Sequence, residues 1–245
     1  MNITSLRAAI RAGGVVAFTG AGVSEESGIP TYRGTGGFWT SYDPDKYASI
    51  DYFQQDPSYF WAFFRDTRRF LIHEAKPNAA HKSLANLEEL GLLDAVITQN
   101  IDGLHQAAGN KHVVELHGSY QKFSCTKCDA VYPLAHIERE IEKPLPPQCI
   151  ECDSVIRPDI VFFGEMLPPD KLEKAYQLAS QSKLILMIGS SLVVYPAAQV
   201  PHVAKQSGAR LAIINLEPTP LDDFADWVFH EKAGIVLPEL LEYLT

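Results

Sequence analysis

Cysteine is scarce in this chain: four residues in 245, none of them outside positions 125–152. That excludes a disulfide framework as the means of holding most of the fold together. Basic residues are also in short supply, with 21 Lys and Arg against 30 Asp and Glu and a formal net charge of -9. A nucleic-acid partner is therefore not expected, because binding a phosphate backbone calls for a basic face that releases counterions; an acidic surface suits basic protein segments. No apolar run approaches the length of a membrane-spanning helix. The opening Met1-Asn2-Ile3-Thr4-Ser5-Leu6-Arg7 lacks a charged stretch followed by a long apolar one, so neither a signal peptide nor a membrane anchor is expected and the reading is cytoplasmic. Internal repeats, low-complexity tracts and long linkers are missing as well.

What is present is enough for a sizeable core, since 46% of the residues are hydrophobic, and one main domain with insertions fits the length. Val15-Val16-Ala17-Phe18-Thr19, Ala95-Val96-Ile97, Leu184-Ile185-Leu186-Met187-Ile188 and Leu211-Ala212-Ile213-Ile214 are short apolar runs without polar alternation, the pattern of strands buried on both faces. Helical stretches lie between them. Asn78 can cap one over 79–90, Pro169-Asp170 opens another toward Ser182, and Pro196 starts one that ends near Gly208. The fold class expected is α/β, a doubly wound parallel sheet of Rossmann-like type, with ligands at the carboxyl ends of its strands. Two segments interrupt the alternation: an aromatic-rich one over 31–73, read as a mobile loop leading into a small helical insertion, and the cysteine segment over 122–157.

Each apolar run is followed at once by glycine or polar residues: Gly20-Ala21-Gly22, Gln99-Asn100-Ile101-Asp102, Gly189-Ser190-Ser191 and Asn215-Leu216-Glu217. Strand, Gly20-x-Gly22 and a following helix have the layout of a dinucleotide-binding turn, although Glu25 stands where the third glycine of the usual motif would be. Gln99, Asn100 and Asp102 suit hydrogen bonds to a sugar or carboxamide in a low-dielectric cleft, while Asp102 alone also fits the capping of a short helix. Among eight histidines, His117 follows the β-like run Val113-Val114-Glu115-Leu116 and precedes a glycine; its imidazole is suited to act as general base toward a hydroxyl. His81 and His105 read as structural. Cys125-x-x-Cys128, twenty intervening residues, then Cys149-x-x-Cys152 is a zinc-ribbon spacing. Four thiolates leave no open position, so one structural Zn²⁺ is expected.

Taken together, Gly20-Ala21-Gly22-Val23-Ser24-Glu25-Glu26-Ser27-Gly28-Ile29-Pro30, Ile97-Thr98-Gln99-Asn100-Ile101-Asp102-Gly103-Leu104-His105, Leu116-His117-Gly118 and the four cysteines resemble the sirtuins, NAD-dependent protein lysine deacylases. The resemblance runs from about residue 13 to the last helix. It implies NAD as co-substrate, with cofactor contacts from Gly20, Ala21, Gly22, Ser24, Tyr32, Arg33, Gln99, Asn100, Ile101, Asp102, His117, Gly189, Ser190, Ser191, Asn215, Leu216, Glu217 and Ala233. Thr31-Tyr32 stands where Asp-Phe is commoner in that family. His117 and Asn100 are implied as catalytic, His117 deprotonating a ribose hydroxyl after the acyl oxygen has attacked the anomeric carbon. Val161, Phe162, Phe163, Gly164 and Val193 are implied to pair with an acyl-lysine peptide by strand addition.

The implied layout is a single catalytic domain over 1–245. Its large part comprises about 1–34, 74–121 and 158–245, and its small part is built from insertions at about 35–73 and 122–157. The expected product is an O-acyl-ADP-ribose with release of nicotinamide. Acyl-lysine proteins are the expected partners of a monomer with no direct nucleic-acid or membrane contact. Phe63-Phe64-Arg65-Asp66-Thr67-Arg68-Arg69 has no tyrosine three before an arginine, the pair that binds acidic acyl groups in some sirtuins, so acetyl is expected first. A preference for longer or acidic acyl groups, and mono-ADP-ribosylation of a protein, are the alternatives. A nicotinamide dehydrogenase lacks its acidic ribose ligand on a second strand, and a non-catalytic NAD-binding or zinc-ribbon scaffold would have no use for His117 and Asn100.

Overall fold

The structure is a computed structural model and describes residues 3–32, 36–242 and 244, without the side chain of Arg69. Among the described residues nine strands form two sheets. The larger contains β1 (Val15–Thr19), β2 (Ala95–Thr98), β3 (Val113–Glu115), β7 (Leu184–Ile188), β8 (Arg210–Ile214) and β9 (Trp227–Phe229), in the order β3-β2-β1-β7-β8-β9 with every neighbouring pair parallel. The smaller is antiparallel, β5-β4-β6, from β4 (Gly118–Cys125), β5 (Val131–Pro133) and β6 (Ile156–Ile160). The helices are α1 (Ile3–Arg11), α2 (Pro44–Tyr47), α3 (Ile50–Gln55), α4 (Ser58–Arg68), α5 (Ala79–Glu89), α6 (Leu104–Ala108), α7 (Leu134–Glu140), α8 (Pro169–Gln181), α9 (Gln199–Gln206) and α10 (Ala233–Leu241).

The lack of polar alternation in the strands has its cause in the layers. Val15 and Ala17 of β1 point into one apolar cluster with Leu6, Leu84 and Leu237, from α1, α5 and α10. Val16 and Phe18 point into another, with Ala175, Ala179 and Val200 from α8 and α9. Because side chains alternate across a strand, two apolar layers demand that every position be apolar. The strand order reverses direction between β1 and β7, so a crevice opens at their carboxyl ends, where α/β sheets of this kind hold ligands.

Asn78 caps α5 as expected. Its Oδ1 accepts from the Ala80 and His81 amides at 2.9 and 3.3 Å. The helix expected from Pro196 is shorter than the sequence suggests: α9 starts at Gln199, after three residues of turn. The aromatic segment folds into α2, α3 and α4, followed by one π-helical stretch, Arg69–Glu74. It shares a core with the cysteine segment, where Trp61 and Phe64 pack with Phe123 and Tyr120 of β4 and the cluster continues to Cys125 and Cys149. Two stretches far apart in sequence therefore share one apolar cluster, which Ile29, Ile101 and Leu104 also join.

Candidate active site

The turn after β1 and the turn after β7 meet backbone to backbone. The Gly20 amide donates to Ile188 O at 3.0 Å and the Gly22 amide to Gly189 O at 2.9 Å. At Gly189, with φ +59°, a Cβ would stand 2.3 Å from Val23 N, so no side chain fits there. The helix expected after Gly22 does not form. Two 3₁₀ turns, Ala21–Val23 and Glu25–Ser27, take its place and end at Gly28, whose φ is 83°. With the Gly20 and Gly22 amides already bonded to Ile188 and Gly189, these glycines serve close approach of two chain segments and do not point those amides at an anion.

The end of β2 carries a hydrogen-bonded network. Asn100 Nδ2 donates to Ser24 Oγ (3.1 Å) and to Gly20 O (3.2 Å), and Ser24 Oγ donates to Asp102 Oδ2 (2.8 Å). The other Asp102 oxygen accepts from the Leu104 amide at 2.9 Å, so the carboxylate caps the short helix α6 and anchors Ser24 at once. Burial raises the Asp102 carboxyl above its ordinary value, against the lowering by these donors.

Behind the network lie two buried imidazoles, His81 and His105, with ring centroids 4.8 Å apart. His81 Nδ1 accepts from the Asn78 amide, which leaves the Nε2 proton to face Ser24 Oγ at 3.4 Å. His105 Nε2 meets Thr19 Oγ1 at 2.9 Å. Burial lowers His81 to about 4; His105 falls to about 3, by burial first and then by repulsion from His81. The unfolded chain therefore takes up these two protons near pH 6.5 while the folded one does not, and their contribution to stability is complete above pH 6.5. Below that it is lost at up to about 1.4 kcal/mol per pH unit for each ring, down toward the folded values. Urea unfolding at pH 7.5, 6.0 and 5.0 should show this slope, and a His81→Asn/His105→Gln double variant should flatten it.

His117 follows β3 in the adjacent strand-end turn. Its Nδ1 lies 2.8 Å from Gln99 O. A carbonyl only accepts, so Nδ1 carries the proton of the neutral ring and Nε2 keeps its lone pair. Burial pulls the His117 pKa below its usual 6.5, with the bond to Gln99 pulling back in part.

These parts surround a cavity of about 720 Å³, a size ordinary for a cofactor site. Gly20, Ala21, Gly22, Tyr32, Gln99, Asn100, Ile101, His117, Gly189, Ser190, Ser191, Asn215, Leu216, Glu217 and Ala233 line it, as do Val161, Phe162, Phe163 and Gly164. Gln99 Nε2 donates across the switch point to Ser190 Oγ at 2.8 Å. Ser24 and Asp102 stand behind this wall, and Val193 is on the outer surface, 53% exposed. Arg33 lies outside the described residues. Sequence reasoning did not single out Trp39, Phe60, Phe63 and Tyr120, which line the end of the cavity toward the cluster shared by the aromatic and cysteine segments. Phe60 and Phe63 recur at helical spacing in α4, a signal that also describes an ordinary core, while Trp39 and Tyr120 lie outside that helix. Among the described residues Lys232 is the one Lys or Arg in the lining. Arg65 is exposed and Arg68 pairs with Glu142, so neither faces the cavity.

The four cysteines converge at the ends of β4 and the following ribbon. Their sulfurs all lie within 4.8 Å of one another, with Cys125–Cys152 and Cys128–Cys149 at 3.5 Å. That spacing fits four thiolates around one tetrahedral Zn²⁺ with Zn–S bonds of about 2.3 Å. The Tyr132 hydroxyl donates to Cys149 Sγ at 3.0 Å and accepts from the Ile150 amide, which orients one ligand from behind.

A Rossmann-like sheet with its crevice at the strand-order switch, flanked by a cysteine ribbon, defines the class of α/β protein that binds a dinucleotide beside a structural metal module. Within that class, the model of the Sir2 family matches residues 20–196, and the chain belongs to this family. Among curated proteins, an NAD-dependent protein deacetylase of Saccharolobus solfataricus is 49% identical over 228 residues, 93% of this chain and 90% of its own. An NAD-dependent protein deacylase 2 of Pyrobaculum aerophilum is 46% identical over 242 residues, 99% and 94% respectively. A solved Sir2 structure with p53 peptide and NAD⁺ superposes with a TM-score of 0.92 at 41% identity, covering 99% of this chain and 98% of that one. No helix among the described residues is long and apolar enough to cross a membrane.

Proposed function

We propose that this protein is an NAD-dependent protein lysine deacylase, acting first on acetyl-lysine, that transfers the acyl group to ADP-ribose and releases nicotinamide. The observation that carries this reading is the joining, in one cavity, of the polar strand ends, His117 with a free Nε2, and the segment Val161–Gly164. When bound, NAD supplies the electrophilic ribosyl carbon. Gln99, Asn100 and Ser190 hold its polar groups at the switch point, and the Ser24–Asp102 pair fixes Asn100 from behind. His117 Nε2 takes a proton from a ribose hydroxyl, with Nδ1 anchored on Gln99 O. Asn215, Leu216, Glu217 and Ala233 form the adenosine end.

The acyl-lysine side chain enters between Val161–Gly164 and Val193, and its peptide adds as a strand. The aromatic end of the cavity, without a Lys or Arg among the described residues, favours an uncharged acyl group. The same reading assigns a large Rossmann-like part and a small part built from the two insertions, one structural Zn²⁺ held by Cys125, Cys128, Cys149 and Cys152, and a monomer in the cytoplasm, where a reducing milieu keeps the ligands as thiolates.

Mass spectrometry of an acetyl-lysine peptide incubated with NAD, beside a succinyl-lysine peptide, tests this directly. Loss of acetyl only when NAD is present, with nicotinamide formed and the succinyl peptide largely intact, is expected. Survival of both peptides while NAD labels protein would replace deacylation by ADP-ribosyl transfer.

A further inference from the structure

The segment from Ile160 to Glu165, which lines the cavity on the substrate side, hangs from three fixtures. The first is the His117 carbonyl, which accepts from the Val161 amide at 2.9 Å. The second is the start of α3, where Phe163 N donates to Ala48 O at 2.9 Å and Ile50 N to Phe163 O at 3.0 Å. The third is a side-chain clamp. From β6, Arg157 reaches Glu165 with both ends of its guanidinium, Nη1 to Oε1 at 2.7 Å and Nη2 to Oε2 at 2.8 Å. Nη2 also donates to Ile160 O at 3.0 Å and Nε to Pro158 O at 3.3 Å.

Glu165 Oε2 in turn accepts from the Phe162 amide at 2.9 Å, and the guanidinium lies over the Phe162 ring, 5.1 Å from its centroid. Arg157 itself does not face the cavity. It lines a second one on the far side of the same wall, which shares Ile160, Val161, Gly164 and Glu165 with the first.

We propose that Arg157 and Glu165 are a positioning pair for the acyl-lysine substrate, which set the place of the Val161–Gly164 backbone and of the Phe162 ring without touching the reacting atoms. This rests on the deacylase reading above. Strand addition requires main-chain donors and acceptors at fixed spacing, and the clamp ties the Glu165 end of the loop to β6 as the His117 and Ala48 bonds tie its start and middle. The pair is about three-quarters buried, at 26% and 23% exposure, so its bidentate bonds are only partly screened by solvent. The carboxylate is also held below its ordinary value, the Arg157 and Phe162 donors outweighing the opposing effect of burial. A lysine at 157 would offer a point charge and could not make the fork or reach Pro158 and Ile160 together.

The test compares Arg157→Met, Arg157→Lys and Glu165→Gln with the unaltered holoenzyme. Steady-state KM for acetyl-lysine peptide and for NAD would be measured, with anisotropy of a fluorescein-labelled acetyl peptide and zinc content alongside. Peptide KM is expected to rise about ten-fold in Arg157→Met and Glu165→Gln and less in Arg157→Lys, with matching loss of peptide affinity, while NAD KM stays within about two-fold and zinc is retained. Unchanged peptide KM and affinity would overturn the proposal. So would equal rises in both KM values with loss of zinc, because that pattern belongs to general destabilisation. If the unaltered enzyme itself releases no nicotinamide with acetyl peptide, it is the deacylase reading that fails.

Discussion

Replacing His117 by alanine is expected to lower kcat/KM for deacylation by about 10²- to 10⁴-fold, the usual worth of a positioned general base, while peptide and NAD still bind. The imidazole contributes little to holding the fold: among the described residues its hydrogen bond is a single one, to Gln99 O. Its carbonyl, which carries Val161, is backbone and survives the substitution. The pH profile gives a second check. A base works deprotonated, and burial places the His117 pKa below 6.5. Activity should therefore be level above pH 6.5 and fall tenfold per unit only below the lowered pKa. In His117→Ala that acid limb should vanish from the residual rate. Persistence of the same limb in the variant would assign the proton transfer to another group.

Cys149→Ser should cost more in structure than any other single change discussed. The thiolate is buried, is one of four sulfurs clustered within 4.8 Å, and takes a hydrogen bond from Tyr132. Zinc binding and ribbon folding are coupled, with structural sites worth on the order of 10 kcal/mol, so loss of a ligand should release the metal and unfold the β5-β4-β6 sheet. The effect will not stop there. Cys125 and Cys149 belong to the same apolar cluster as Trp61, Phe63, Phe64 and Tyr120, and Phe63 and Tyr120 line the cavity. Deacylation should vanish although no cysteine faces the substrate. Zinc content by mass spectrometry, with hydrogen exchange over 118–160 and over α4, checks this: protection should be lost in both regions and kept in β1, β7 and β8. A variant that loses zinc but keeps α4 protected would show that the two insertions fold separately.

The parallel sheet and the cysteine cluster were legible because each rests on a local rule. Unbroken apolar runs of five at Val15–Thr19 and Leu184–Ile188 are the length and pattern of strands covered on both faces, and two C-x-x-C pairs at ribbon spacing bring four thiolates to one point. The capping of α5 by Asn78 is likewise local, needing only an oxygen within reach of amides two and three residues on. The helix after Gly22 was misread for a matching reason. A glycine-rich turn in sequence does not say whether its amides are free, and here those of Gly20 and Gly22 are spent on Ile188 and Gly189, more than 160 residues away.

The sequence by itself determined which residues could do chemistry: an imidazole before a glycine, amides and a carboxylate at a strand end, four thiols in pairs. Side-chain type and local spacing suffice for that. Only the tertiary structure decided which His117 nitrogen is free, that Ser24 and Asp102 stand behind the wall while Gln99 and Asn100 stand on it, that aromatics from α4 close one end of the cavity, and that Arg157 holds the Ile160–Glu165 segment from its far side. Each of these depends on contacts between segments distant along the chain, where the order of strands in the sheet, and not the order of residues, sets who meets whom.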